Sequence, residues 1–143
     1  MACPFSYQGD VMSLSSAERV LKHHPRPPAY LDALIACLRE CLACIASCNG
    51  CGDACLHEEA AKMIDCIRTC FDCAQVCSST AALLARLDSH APALLRAQVQ
   101  ACREACRACG AECAKHDHEH CAACAECCRA CEEACASLLT ALA

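Results

Sequence analysis

The positions of the cysteines constrain the fold of this chain more than any other feature. In four separate segments they recur at alternating steps of three and four residues, which is the spacing of one face of an α-helix. Each stripe would occupy the axis-facing positions that leucine fills in an ordinary bundle. We therefore predict an all-α fold, an up-down-up-down antiparallel four-helix bundle with a cysteine-lined core. The stripes consist of Cys37, Cys41, Cys44, Cys48, Cys51, Cys55, Cys66, Cys70, Cys73, Cys77, Cys102, Cys106, Cys109, Cys113, Cys121, Cys124, Cys128, Cys131 and Cys135.

The four segments of helical character cover about 29–56, 58–88, 92–115 and 118–141. Gly50 and Gly52 are poor helix formers inside the first segment. Because the cysteine pattern continues through both glycines, we expect that helix to be unbroken.

The N-terminal part of the chain is expected to be separate from the bundle. Residues 1–28 would form a tail and a short extra helix, since Ser15 and Glu18 have the spacing of a capping box. The proline-rich segment 24–28 then ends this helix. Residues 29–143 would form the four-helix-bundle domain that binds metal.

The composition excludes several classes of protein. Cysteine accounts for 21 of the 143 residues, but four glycines and five prolines provide too few turns for a small disulfide-stapled scaffold. A net charge of −5, with both signs interspersed, offers no basic stripe for nucleic acid. No apolar run is long enough to cross a membrane, and the N-terminus carries no recognisable export signal. We therefore expect a cytoplasmic protein with reduced thiols, and neither nucleic acid nor a membrane as its partner.

The spacing of the cysteines argues against the usual sulfur-based structures. Side chains at i and i+4 on a helix have Cβ atoms about 5–6 Å apart, whereas a disulfide needs about 3.5–4.5 Å. Structural zinc sites gather four ligands into closed, separate sites, and iron–sulfur clusters typically use cysteines on irregular backbone. A continuous column of thiols in the middle of helices matches none of these.

Cu(I) is the metal that such a column suits best. Thiolates select this soft ion, and two thiolates one helical turn apart could hold a two-coordinate ion between them. Each thiolate carries −1 and each ion +1, so a core with about one ion per thiolate would be nearly neutral and inexpensive to bury. The number of thiols predicts that one chain binds multiple Cu(I) ions.

The repeated cysteine pairs resemble those of a known family. The motifs CLREC, CIASC, CGDAC, CIRTC and CREAC, with part of CRACEEAC, are similar to those of the cytosolic copper storage proteins of the cysteine-rich four-helix-bundle type. The resemblance covers about residues 13–141. It implies storage and sequestration of many Cu(I) ions by thiolates in the core, a homotetramer of bundles, and histidine ligands near one end. Loading and release would then involve a copper chaperone or a chelator.

The two ends of the predicted bundle differ in chemistry. One end would be sealed by Leu34, Ile35, Leu84, Leu87, Leu95, Val99, Leu138 and Leu142. The opposite end carries histidine-rich connections and would be the mouth through which copper passes. His116 and His118 lie three residues from the nearest stripe cysteine, as does Met63, so we expect all three to extend the ligand column. For His57 and His120, ligation and a solvated helix turn are equal alternatives.

Two cysteines depart from the stripes. Cys127 sits beside Cys128, and for it ligation and a purely structural position are equal alternatives, so it is included among the candidate ligands. Cys3 lies in the tail and is not expected to bind metal.

A competing hypothesis is a thiol-rich redox protein, or a detoxification protein for silver or zinc without dedicated copper storage. A redox enzyme ordinarily needs one accessible thiol of low pKa, and this sequence offers many equivalent thiols instead. The chain also lacks Glu-x-x-His pairs, a recognisable Ser-His-Asp arrangement and a glycine-rich phosphate loop. We therefore predict no enzymatic activity and no catalytic residues.

Overall fold

A computed structural model describes residues 15–87 and 91–143. Within these ranges the chain forms helices α1 (Ser16–Lys22), α2 (Leu31–Leu56), α3 (Ile64–Leu84), α4 (Pro92–Cys113) and α5 (Glu119–Ala141), with one 3₁₀ turn at Ala60–Lys62. The described residues contain no strand, which confirms the all-α prediction. None of the described helices is both long enough and apolar enough to cross a membrane.

The four long helices form an antiparallel bundle. Helix α2 packs against α3 and α5, and α4 packs against the same two helices, so that the four lie at the corners of a square. Residue numbers run in opposite directions along α2 and α5: Cys37 lies 3.6 Å from Cys135, and Cys48 lies 3.7 Å from Cys128, between Sγ atoms. Helices α3 and α4 are also antiparallel, because Cys66 lies 3.7 Å from Cys113 and Cys77 lies 3.8 Å from Cys102, between Sγ atoms. The up-down-up-down topology is therefore confirmed.

Helix α2 runs without a break through its two glycines, as predicted. Around Gly50 nothing lies within 4 Å of the place a Cβ would take. At Gly52 a Cβ would lie only 2.7 Å from Cε1 of Phe71, a residue of α3. The missing side chain at Gly52 thus lets the Phe71 ring lie directly against the backbone of α2.

The second long helix is shorter than the predicted 58–88. It begins at Ile64, after a connection that contains the 3₁₀ turn, and it ends at Leu84. Glu58 and Glu59 follow the C-terminus of α2, where the helix dipole disfavours negative charge, and this favours a turn at that point. Residue 88, the predicted end, lies outside the described residues.

The predicted short N-terminal helix is confirmed as α1. Its capping box is complete, because the Glu18 amide donates to Ser15 Oγ at 3.3 Å and the Ser15 amide donates to the Glu18 carboxylate at 2.9 Å. The carboxylate of Glu18 also pairs with the guanidinium of Arg39 on α2. The Arg39 guanidinium and the Ser15 amide hold the pKa of Glu18 at about 2. This ion pair fixes α1 to the bundle.

The predicted apolar end of the bundle is also confirmed. Seven of its eight residues are buried, and Leu142 packs half-buried against them. Thr80 is fully buried there, and it accepts a hydrogen bond from Gln98 Nε2 at 3.0 Å and donates one to the Val76 carbonyl at 2.8 Å. Apolar contacts with satisfied polar groups therefore close this end of the core.

We predict that the reduced, metal-free protein is already helical, because this apolar end and the alanine-rich helices are independent of any ligand. Far-UV circular dichroism of the reduced apo-protein should show a helical spectrum. A random-coil spectrum that becomes helical only when metal is added would instead indicate folding coupled to metal binding.

A second prediction concerns the two glycines of α2. Gly50→Ala should raise the free energy of unfolding of the apo-protein by about 0.5–1 kcal/mol, because it restores helix propensity where there is space. Gly52→Ala is the matched control. It should raise the free energy of unfolding by less, because its methyl group displaces the Phe71 ring. Urea unfolding followed by circular dichroism measures both. Equal gains would show that the Phe71 contact contributes nothing.

Candidate metal centre

The thiols of the bundle core form one continuous column. Every cysteine of the four stripes is buried, and all the described cysteines are free thiols. Eighteen of the nineteen stripe Sγ atoms lie 3.6–4.0 Å from at least one other stripe Sγ atom, and the Sγ of Cys44 instead lies 3.4 Å from that of Cys127. The sequence prediction of a cysteine-lined interior is correct at the level of individual side chains.

These separations suit thiolates that share a metal ion. Three sulfurs around an ion with metal–sulfur bonds of about 2.3 Å lie about 4.0 Å from one another, whereas a disulfide bond is about 2.05 Å long. The observed separations are therefore close to those of a bound metal cluster, and the described core contains no disulfide.

Thiols from different helices make most of these contacts. Four groups of four Sγ atoms lie within 4.8 Å of one another, and each group draws on at least three helices. They are Cys41, Cys77, Cys102 and Cys131; Cys44, Cys77, Cys106 and Cys131; Cys48, Cys109, Cys124 and Cys128; and Cys51, Cys70, Cys113 and Cys124. Contacts within one C-x₃-C pair also occur, at 4.0 Å between Cys73 and Cys77. The first two groups share Cys77 and Cys131, and the last two share Cys124, so the sites overlap in pairs.

Hydrogen bonds between neighbouring thiols control their protonation. The Cys106 thiol, with other neighbouring thiols, holds the pKa of Cys44 below its usual value, and the Cys135 thiol lowers the pKa of Cys37 to about 5. The interaction with the Cys109 thiol raises the pKa of Cys48. Burial raises the pKa of Cys55 to about 12. The apo core thus shares protons among its thiols and does not hold them all as thiolates.

A mixed group of ligands lies at the end opposite the apolar one. His120 Nδ1 is 3.4 Å from the Cys51 thiol and 3.5 Å from the Cys121 thiol. Its other ring nitrogen, Nε2, lies 3.3 Å from Glu58 Oε1. Cys51, Cys55, Cys121 and His120 together have ligand atoms within 4.8 Å of one another. A carboxylate on the far nitrogen of an imidazole is the arrangement that orients metal-binding histidines in proteins.

The remaining predicted ligands at this end occupy different surroundings. His118 stacks on His120 with ring centroids 5.2 Å apart, and its Nδ1 lies 3.5 Å from the Glu58 carboxylate. His116 Nε2 lies 3.2 Å from the Glu112 carboxylate, one turn back on the chain. Met63 is buried immediately before α3, and His57 is exposed. Among these residues, His120 is the one that contacts the thiols. For His120 the sequence had left metal ligation and a solvated helix turn as equal alternatives.

Cys127 lies beside the column and not in it. Its thiol is half-buried and lies 3.4 Å from Cys44 Sγ, while the Cys44 thiol also donates to the Cys127 carbonyl at 3.5 Å. Cys3 lies outside the described residues.

Comparison with known proteins identifies a family with the same architecture. The family model for copper storage proteins matches residues 31–140. The structure is similar to that of the cytosolic copper storage protein Ccsp from Streptomyces lividans loaded with 10 copper equivalents, at 45% identity and a TM-score of 0.84. That match covers 87% of this chain and 98% of the other.

The chain is also similar to proteins of Bacillus subtilis. The Cu(I)-bound copper storage protein BsCsp3 is 36% identical with a TM-score of 0.67, over 75% of this chain and 98% of the other. The cysteine-rich protein YhjQ of strain 168 is 38% identical over 89 residues, which is 62% of this chain and 79% of its own length.

Proposed function

Because the chain belongs to the copper storage protein family, we propose that it stores and sequesters many Cu(I) ions on the thiolates that line its bundle core. The observation that carries this proposal is the column of nineteen buried thiols, whose Sγ atoms gather in groups within 4.8 Å of one another. The relatives loaded with copper support the identity of the ion.

The ligand set favours Cu(I) over zinc. A zinc ion carries +2 and prefers four ligands in a closed tetrahedral site. Neighbouring thiol groups of this core share Cys77 and Cys131, or Cys124, so filling one such group with zinc would remove ligands from its partner group. Cu(I) accepts low coordination numbers, and its single charge is matched by one thiolate. Silver has the same softness and charge, and it remains the competing ion.

We assign the storage ligands to the cysteines of the four stripes and the entry ligands to the mouth. At the mouth His120 has contacts with thiols, while Met63, His116 and His118 would serve as outer ligands and the exposed His57 would belong to a solvated helix turn. A ring nitrogen binds Cu(I) less strongly than a thiolate does, so an ion at the mouth could pass inward to the core. It could equally pass outward to a copper chaperone or a chelator.

The same reasoning favours a protein without enzymatic activity. Cysteines with lowered pKa values, such as Cys37 and Cys77, are buried, whereas a redox enzyme needs such a thiol within reach of its substrate. We further propose a cytoplasmic location, in line with the cytosolic relative from Streptomyces lividans, and a homotetrameric assembly. Gel filtration with light scattering tests the assembly.

Titration of the reduced apo-protein with Cu(I), against a competing chelator, tests the proposed function. We expect saturation near one ion per stripe thiolate, and zinc should be bound far less tightly. Replacing one C-x₃-C pair, for example Cys73 and Cys77 by alanine, should lower the capacity by a small step. Saturation of the wild-type protein at one or two ions would refute storage and favour a sensor or a chaperone.

The role of the mouth is tested separately with two histidine variants. His120→Ala should slow Cu(I) uptake and removal severalfold while lowering the capacity by no more than about one ion, because it leaves every thiol in place. His57→Ala is the matched control, since His57 is exposed at the same end. Stopped-flow mixing with a chromophoric chelator measures the rates. The proposal would be wrong if His120→Ala left the rates unchanged while Leu138→Ala, which opens the apolar end, made copper exchange faster. Copper would then enter and leave at the apolar end.

A further inference from the structure

Cys127 is the one described cysteine that is not fully buried. It lies on α5 next to the stripe residue Cys128, so its side chain points away from the bundle axis and towards the seam between α2 and α5. Its Sγ lies 3.4 Å from Cys44 Sγ, shorter than the separations of 3.6–4.0 Å within the column. A partly exposed thiol is therefore in direct contact with a fully buried one.

Cys44 connects this contact to the core. Its thiol belongs to the group that also contains Cys77, Cys106 and Cys131, contributed by three other helices. The sulfur atoms thus form a path from the protein surface through Cys127 to Cys44 and into the centre of the column. Every step of this path is between soft ligands of the kind that hold Cu(I).

This path reaches the column far from the mouth. Cys44 precedes Cys55, the last stripe residue of α2, by eleven residues, which corresponds to about 16 Å along the helix axis. The opposite end is closed by buried leucines. An ion in the half of the core near Cys37 would otherwise have to pass each thiol group in turn to leave through the mouth.

The surroundings of Cys127 leave its thiol accessible. Its neighbours one turn away on the same helix, Ala123 and Ala130, are exposed and have the smallest side chains that a helix surface can carry. On α2 the neighbouring Ser47 is also small, and it is half-buried. A small chelator or a sulfur ligand of another protein could therefore approach this position.

We propose that Cys127 is a lateral port, a second ligand site through which Cu(I) enters and leaves the middle of the core independently of the histidine mouth. The inference rests on the proposed storage function. An ion bound to the Cys127 thiolate forms a bond to Cys44, which gives up its proton, and the bond to Cys127 then breaks as that sulfur takes up a proton. Copper remains Cu(I) throughout, so no electron is transferred.

Cu(I) binds the thiolate of Cys127 and displaces its proton, as thiolate ligands require.

The port is tested by removing Cu(I) from fully loaded protein with excess bathocuproine disulfonate and following the chelator complex by absorbance. Cys127→Ser keeps the size of the side chain but provides a poor ligand for Cu(I), and it should slow release of part of the copper severalfold. Cys127→Met keeps a soft sulfur and should restore most of the rate. Ala130→Ser, on the same surface, should behave as the wild type. Circular dichroism and the Cu(I) capacity of each variant are measured in parallel.

Each result has a distinct meaning. Release from Cys127→Ser at the wild-type rate would overturn the lateral port. Equal slowing by Cys127→Ser and Cys127→Met would also overturn it, because the effect would then come from packing and not from ligation. Failure of the storage function itself would appear as a low capacity of the wild-type protein, before any rate is compared.

Discussion

The rest of this structure depends on the replacement of leucine by cysteine along the axis of a four-helix bundle. Exchanging a large apolar side chain for a small one costs about 1 kcal/mol or more at a buried site, and this chain makes that exchange at nineteen positions. Stability alone would not maintain such a core. The fold must therefore obtain its stability elsewhere, and the thiols must be retained for their chemistry.

Features other than the thiols also stabilise the fold. Alanine-rich helices have high intrinsic helix propensity, and a cluster of leucines closes one end of the bundle. The ion pair between Glu18 and Arg39 fixes the short helix α1 to the outside of α2. The molecule thus has a closed apolar end, a polar end with histidines and a thiol column between them.

Most of the architecture could be predicted from the sequence, because alternating steps of three and four residues report directly which face of a helix is buried. The same rule identified the apolar end, since opposed helices bring Leu34 and Leu138 to one level. The contacts of His120 could not be predicted, because they depend on how the connection between α2 and α3 folds and brings Glu58 over the mouth. The contact between Cys127 and Cys44 depends on how far α5 is rotated about its own axis relative to α2. The position of Cys127 in the sequence, outside the stripes, does not predict this rotation.

Overlap between the thiol groups is what makes a bundle core suitable for a large number of monovalent ions. Four thiolates around a single Cu(I) would leave a buried net charge of −3, which a closed interior could hold only at great cost. Cys77 and Cys131 each belong to two groups, and Cys51 and Cys124 likewise join neighbouring groups, so each of these four thiolates can serve more than one ion. The ratio of ions to thiolates then rises towards one, and the charge of the filled core falls towards zero. Each ion that binds lowers the electrostatic cost of binding the next ion beside it. Binding of Cu(I) to a partly loaded core is therefore favoured over binding of a single ion to an empty core.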